Sequence, residues 1–493
     1  MFLSGYIAWS VDAWDFFSVS LNVSRLVNVF DRDANTITTS ITLTLLFRSL
    51  GAVIFGVISD RYGRKWPLVA NLIIVAVLSL GTGFTKTFES FLAVRCLFGI
   101  AMGGIWGMSA STGLENAPAA ARGLLSGILQ QGYAFGYLLA ASVNLSPWMT
   151  RTNDWRILFF LGAGISLFAA ILRAVLPESE LFLRAKAERA QQPTEPGAPS
   201  AAKRFGIEFK NMLKTQWRRC VYGVLLMTGF NFLSHSSQDL YPTIIQKVKL
   251  ARLETAHAVH LSSEATIIGN CGAIAGGLAA GYISQYAGRR LTIVAFVVLC
   301  GALIPAWILP NSFSGLAAGA FFIQFMVQGA WGVVPIYLQE IAPPAFRATF
   351  SGVAYQLGNM VSSASAQIET RGGENLRIRN PKCDFSPTGA ATCPPKQEPT
   401  IPDYATVSGI LLGVVCAYLI LVVVFLGVEA RGAHFEEAGV ATDRGAGKTD
   451  GKQFVGVEND GTDHLDKFDN EGSSSEHVGD YRQTDGEKGT SKA

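Results

Sequence analysis

Two stretches of the chain carry the same loop sequence. GVISDRYGRK at 56–65 recurs as GYISQYAGRR at 281–290, an offset of 225 residues. The same offset pairs Trp106-Gly107 with Trp331-Gly332, Glu115 with Glu340, Ala117-Pro118 with Ala342-Pro343 and Arg122 with Arg347. Agreement in one register over this length marks a duplicated unit. Each copy holds six apolar runs of about 20 residues, long enough to cross roughly 30 Å of hydrocarbon. The expected fold is therefore all-α and integral to the membrane, with twelve transmembrane helices in two pseudo-symmetric six-helix bundles.

Composition agrees with that reading. Charged residues make up 16% of the 493 and hydrophobic residues 49%, where soluble domains carry about 25% charge. A formal net charge of +3 argues for no nucleic-acid or acidic partner. Spans 1 to 6, within 2–24, 37–59, 66–85, 88–111, 123–145 and 156–176, form an N-terminal bundle over residues 1–176. Spans 7 to 12, within 219–246, 263–286, 291–309, 314–339, 348–368 and 406–428, form a C-terminal bundle over 218–428. Between them, 177–217 is basic and includes QQPTEPGAPS, a linker composition. Residues 429–493 lack any apolar run, and this tail is expected to be disordered. No signal peptide precedes span 1, and Met1 falls almost at the membrane face, as in a shortened gene model.

Inside span 7 the apolar pattern breaks into NFLSHSSQDLYPT, residues 231–243. Asn231, Ser234, His235, Gln238 and Asp239 fall at i, i+3, i+4, i+7 and i+8, so a helical period puts all five on one face. Ionisable groups at that depth are costly unless they line a water-accessible path for ions or substrate. His235 and Asp239 are one turn apart and form the candidate proton-coupling pair, with Asp15 of span 1 at a similar depth in the other half. Asn231 and Gln238 are candidate donors to an anion or, in the plainer role, bridges between helices. Gln356, Asn359 and Ser363 make a comparable stripe in span 11, and Gln324 and Gln328 lie in span 10.

Arg48 lies halfway along span 2, roughly 18 Å from either face at the helical rise. Its fork matches a carboxylate, so it is either the anchor of a small acid or the permanent partner of Asp12 or Asp15. Gly99, Gly103, Gly104 and Gly107 in span 4, with Gly272, Gly276 and Gly277 in span 8, read as close helix contacts. No Walker loop and no spaced nucleophile and base occur, so neither ATP nor an enzymatic activity is expected, and no cofactor. The seven cysteines show no metal-ligand spacing. Cys383 and Cys393 share the polar loop 369–405, placed outside the cell, and are candidates for a disulfide.

The GxxxDRxGRK loop and its degraded copy resemble the signature of the major facilitator superfamily over residues 1–428, with Pro177-Glu178-Ser179 after span 6 similar to its sugar and organic-acid branches. Span 7 is similar to the N-x-x-S-H-x-S-Q-D-x-x-x-T signature of the fungal lactate and carboxylate permeases, within the sialate and carboxylate proton-symporter branch. The resemblance implies symport of lactate, pyruvate, acetate or related dicarboxylates with a proton across the plasma membrane. It places the DRxGRK loop, the linker and the tail in the cytosol, and it implies a gating latch of Asp60, Arg64, Glu115, Arg122, Glu340 and Arg347. Gln285, where the first half has Asp60, predicts an asymmetric latch. Tail lysines such as Lys448 and Lys488 are candidate ubiquitin acceptors. The rival readings are a sugar, sialate or other metabolite carrier on this fold, and a nutrient sensor that binds the acid without transporting it.

Overall fold

A computed structural model describes residues 1–431 apart from 33, 145, 153, 180–181, 184–185, 188–199, 386–390 and 395–396, and beyond 431 only Ala441 and Ala446. The tail reading for 429–493 thus lies almost wholly outside the described residues. Span 1 runs Phe2–Ser20, span 2 Ala34–Tyr62, span 3 Lys65–Gly83 and span 6 Arg156–Val175. Span 4 is Phe88–Gly103 continued by Ile105–Leu114, and span 5 is Arg122–Gln130 continued by Gly132–Asn144. In the second half, spans 7 to 10 are Trp217–Gln238, Thr255–Ala287, Arg289–Ile308 and Phe313–Ile341. Span 11 is Arg347–Ser362 continued by Ser365–Asn375, and span 12 is Tyr404–Leu421.

Eight helices among the described residues are long and apolar enough to cross a membrane by length and composition: spans 2, 3, 4, 6, 8, 9, 10 and 12. Spans 1, 5, 7 and 11 fall outside that set: spans 5 and 11 are each divided into shorter helices, and all four carry polar groups, Asp12 and Asp15, Gln130 and Gln131, the Asn231–Asp239 stripe, and Gln356 and Asn359. All four line the cavity described below. These polar groups are buried within the protein or line the cavity, as the cost of exposing them to hydrocarbon requires.

The duplication is visible in the packing. A side chain at Gly51 would overlap the carbonyl of Ile100 in span 4, and one at Gly276 would overlap that of Phe325 in span 10, the same pair 225 residues on. Gly63 and Gly288, which end the two repeated loops, both have positive φ, 104° and 91°, a region that side chains disfavour. At the level of Arg48, Gly99 and Gly103 bring span 4 against the backbone of span 2, where any Cβ would meet the carbonyls of Thr44 and Arg48. Backbone cannot yield as a side chain can. Gly103→Val is therefore expected to abolish the folded protein, read as loss of the monodisperse peak in detergent. Gly164→Ala, whose methyl meets nothing within 4 Å, should leave that peak unchanged.

Three features depart from the sequence reading. The 177–217 segment contains a helix, Ala201–Thr215, whose Phe205 and Phe209 pack on Phe346 at 5.8 and 5.9 Å. The 369–405 loop begins later than its composition implied, because helix continues to Asn375. The rest of that loop adds two small antiparallel ribbons to the otherwise helical fold, Arg377–Arg379 with Thr400–Pro402 and Asp384–Phe385 with Ala391–Thr392. A disulfide joins Cys383 and Cys393 across the second ribbon.

Candidate functional site

A cavity of about 1430 Å³ lies between the halves. Asn231, Ser234, His235, Gln238 and Asp239 all line it. The α-helix of span 7 ends at Gln238, and a separate turn, Tyr241–Ile244 with Pro242 at its start, follows; the proline nitrogen cannot extend the ladder. Asp239 is left at the end of the helix, facing the cavity. Its carboxylate lies 3.0 Å from His235 Nδ1, while His235 Nε2 lies 3.2 Å from Asn359 Oδ1 of span 11. The imidazole thus ties span 7 to span 11 and meets the cavity through Asp239, the more open of the two at 38% exposure against 18%. Gln238 donates to Gln324 of span 10 at 2.7 Å, and Asn231 donates to Met227 O at 2.8 Å within its own helix.

Across the cavity, Arg48 is buried at 1% exposure and makes a 2.8 Å bond from Nη2 to Asp12 Oδ2. That pairing uses one corner of the guanidinium. Arg48 Nε and Asp12 Oδ1 are both buried without a partner, so a donor on a fixed cation remains uncommitted beside the cavity that Arg48 lines. A structural ion pair and an anion anchor are therefore not exclusive alternatives, since Asp12 takes one corner of the fork while Nε, buried from solvent, has its hydrogen bond unmade.

Two predicted residues lie elsewhere. Asp15 sits behind the cavity wall, accepting from Ser79 at 2.6 Å and Ser166 at 3.4 Å, and is not among the cavity lining. Three residues separate it from Asp12, which turns it from span 2 toward spans 3 and 6, so the structure does not bring it to Asp239. Gln356 is fully buried outside the lining; its carbonyl accepts from Ser49 of span 2 at 3.0 Å. The cavity face of span 11 is presented instead by Tyr355, Asn359 and Ser363.

An aromatic floor closes the cavity on the side of the repeated loops. Trp9 stacks on Tyr133 at 5.0 Å, Tyr355 stacks on Trp106 at 4.8 Å, and Trp331 meets Tyr355 edge-on at 5.9 Å. These rings come from five spans, which is why no local motif revealed them. Trp106 and Trp331 did carry a signal, as equivalent positions of the repeat.

Beyond the floor, charged groups bind the loops. Arg64 donates to Glu115 at 2.9 Å, and 225 residues on Arg289 donates to both oxygens of Glu340 at 3.0 Å. Asp60 crosses between the halves, accepting from the backbone N–H groups of Ala348 and Thr349 at 3.2 and 2.9 Å. A carboxylate there satisfies the first turn of span 11 and complements its dipole. Gln285 does the equivalent with a neutral group, accepting from Gly123 N of span 5 at 3.0 Å and donating to Ala119 O at 2.9 Å. Arg122 donates to Ala117 O at 3.1 Å in its own half, and Arg347 is buried where the charges of Glu115, Arg64, Arg122 and Asp60 reach it. Sequence reasoning missed Arg289, which the repeat offset from Arg64 identifies. It also missed Glu429, whose carboxylate accepts from Arg289 N and Arg290 N as Glu178 accepts from Arg64 N and Lys65 N.

A carboxylate on a helix N-terminus contributes about 1 kcal/mol, and near 1.4 kcal/mol a two-state ratio changes tenfold. Asp60→Asn is expected to move the balance roughly fivefold toward opening of the loop face. Spin labels at Tyr62 and Tyr286, measured by pulsed electron resonance, should then show a longer distance growing in; an unchanged distribution would remove Asp60 from the latch.

A membrane carrier of small molecules is the class that this fold and central cavity define. The family model described as "Sugar (and other) transporter" matches residues 1–251 and 223–377. A "Carboxylic acid transporter protein homolog" of Saccharomyces cerevisiae is 35% identical over 437 residues, 87% of this chain and 68% of that protein. A "Probable 4-methylmuconolactone transporter" of Cupriavidus pinatubonensis is 24% identical over 74% of this chain and 81% of its own length. In solved structures, the proton:xylose symporter XylE superposes with a TM-score of 0.64 at 20% identity, covering 89% of this chain and 97% of that one. The chain belongs to the sugar (and other) transporter family of the major facilitator superfamily.

Proposed function

We propose that this protein carries short-chain monocarboxylates, lactate and pyruvate foremost, together with a proton across the plasma membrane by alternating access. One observation carries the reading: Arg48 and the His235–Asp239 pair line one cavity from opposite halves. The similarity to a yeast carboxylic acid transporter homologue supports the substrate class. A carboxylate enters from the face bearing Arg371 and Glu374, which line the mouth, and pairs with Arg48. Gln238 orients a hydroxyl or keto oxygen through its second amide N–H, and Asn231, whose N–H groups are engaged by Met227 O and Tyr355 O, offers Oδ1 to a hydroxyl.

Coupling follows from charge. Moving one elementary charge through the membrane potential costs about 2.3 kcal/mol per 100 mV. An anion accompanied by a proton at His235–Asp239 crosses without net charge. With the loop face toward the cytosol, the aromatic floor and the Asp60 and Gln285 contacts close the inner side, and the cavity is open outward. Release of those contacts as the halves rock exposes the site to the cytosol.

Uptake of labelled lactate into cells lacking their own carriers tests this at external pH 5 and 7, with and without a protonophore. Saturable uptake, about fivefold or more faster at pH 5 and collapsed by the protonophore, is expected. Protein present at the cell surface with no saturable lactate uptake would overturn the substrate assignment.

A further inference from the structure

Glu369 lies seven residues beyond the break in span 11 at Ser362, on the segment Ser365–Asn375. It is fully buried, and neither carboxylate oxygen has a hydrogen-bond partner. No ion pair involving it occurs among the described residues. The groups that face it come from two elements. Span 7 presents His235 and Asp239, and span 12 presents the hydroxyl of Ser408. On its own segment Arg371 and Glu374 point instead into the cavity mouth. The ribbon strand Thr400–Pro402 contributes no ionisable side chain, and Asp403 after it is engaged in capping span 12 through Thr406 N at 3.1 Å.

An ionised carboxylate taken wholly out of water with no cation and no hydrogen bond costs several kcal/mol, and a neighbouring Asp239 adds repulsion. Protonation removes both penalties and supplies an O–H for Ser408. The position is also near the pair: the charges of Asp239 and His235 both reach Glu369, and His235 is tied to Asp239, which meets cavity water, and to Asn359 on the same span as Glu369. We infer that Glu369 is a proton-binding residue of the transport cycle, protonated in this open state and exchanging its proton with the His235–Asp239 pair. The exchange is balanced within the site. The O–H bond at Glu369 breaks as an N–H or O–H bond forms at the pair, and the net proton enters from one face and leaves at the other with the substrate. Glu369 thereby supplies a second place for the proton, shielded from the cavity, while the anion occupies the first side of the site.

This inference rests on the proposed proton symport, and the experiment separates the two. The full chain, wild type and Glu369→Gln, is reconstituted in liposomes and three quantities are read: lactate accumulation under an imposed pH gradient, lactate-induced proton movement by an entrapped pH dye, and lactate exchange without a gradient. Glutamine mimics the neutral acid but cannot release a proton. Expected for Glu369→Gln is exchange within about twofold of wild type, with accumulation and proton movement lowered about tenfold or more. Wild type that moves lactate without protons would overturn the symport reading and this inference with it. Wild type that couples normally beside a Glu369→Gln variant that couples equally well would overturn the inference alone, and loss of exchange along with coupling would make Glu369 a structural residue. Infrared spectra of the wild type at neutral pH give a second readout that needs no active variant. A protonated-carboxyl band that exchanges in deuterated buffer and is absent from Glu369→Gln supports the assignment, and its absence from the wild type overturns it.

Discussion

Arg48→Gln is expected to lower saturable carboxylate uptake at least about a hundredfold, by two separable routes. The first is structural. Removing the guanidinium leaves Asp12 buried at 0% exposure without its 2.8 Å partner, and breaking a buried pair from one side costs about 3–5 kcal/mol. The second is functional, because the cavity loses the cation that lines it and is proposed to hold the substrate. Combining Arg48→Gln with Asp12→Asn removes both charges at once, so the surviving protein should regain its yield and its monodisperse peak in detergent. Uptake should stay at background in that double variant. Recovery of transport along with stability would show that Arg48 serves only to neutralise Asp12. Arg48→Lys supplies a further test: it keeps the charge but loses the planar fork, and a weaker apparent affinity at retained yield is expected.

How much of this was legible beforehand differs from element to element. The duplication was readable because the loops need particular residues, a positive-φ glycine followed by an arginine, and such residues survive in register. Span 7 was readable because five polar groups at helical spacing have one economical place to go inside a membrane. Orientation around a helix axis was harder to read. Asp12 and Asp15 differ by less than one turn, yet one faces Arg48 and the other Ser79, and sequence offered no means of choosing. Gln356 shares a nominal stripe with Asn359 and Ser363, but its side chain is fully buried, Oε1 accepting from Asn359 Nδ2 at 3.4 Å, while the other two residues line the cavity. Glu369 was hidden by its own charge. A carboxylate following an apolar run reads as the start of a loop, whereas the helix continues six residues past it and buries it against span 12. The aromatic floor is a contact among residues from Trp9 to Tyr355, which no local pattern can display.

Asp239→Asn should abolish the response of uptake to pH while leaving the protein folded. The change is isosteric, and the site has room for it at the open end of the helix, so no cavity or buried orphan charge is created. What disappears is the carboxylate 3.0 Å from His235 Nδ1. On the proposed mechanism, cavity water delivers a proton to this pair, whose other ring nitrogen, Nε2, lies 3.2 Å from Asn359 Oδ1 of span 11. An amide at 239 neither accepts that proton nor compensates an imidazolium, so the pair loses its capacity to bind the proton together with the anion. At matched surface expression, wild-type lactate uptake should be faster at external pH 5 than at pH 7, and the variant should fall about tenfold or more at pH 5 with little difference between the two conditions. Exchange of lactate without a proton gradient should fall less, because Arg48 still holds the carboxylate. A variant that keeps the wild-type ratio of rates between pH 5 and pH 7 would remove Asp239 from the coupling path. The proton would then have to enter through another group, with His235 and Glu369 the ionisable residues next to be replaced.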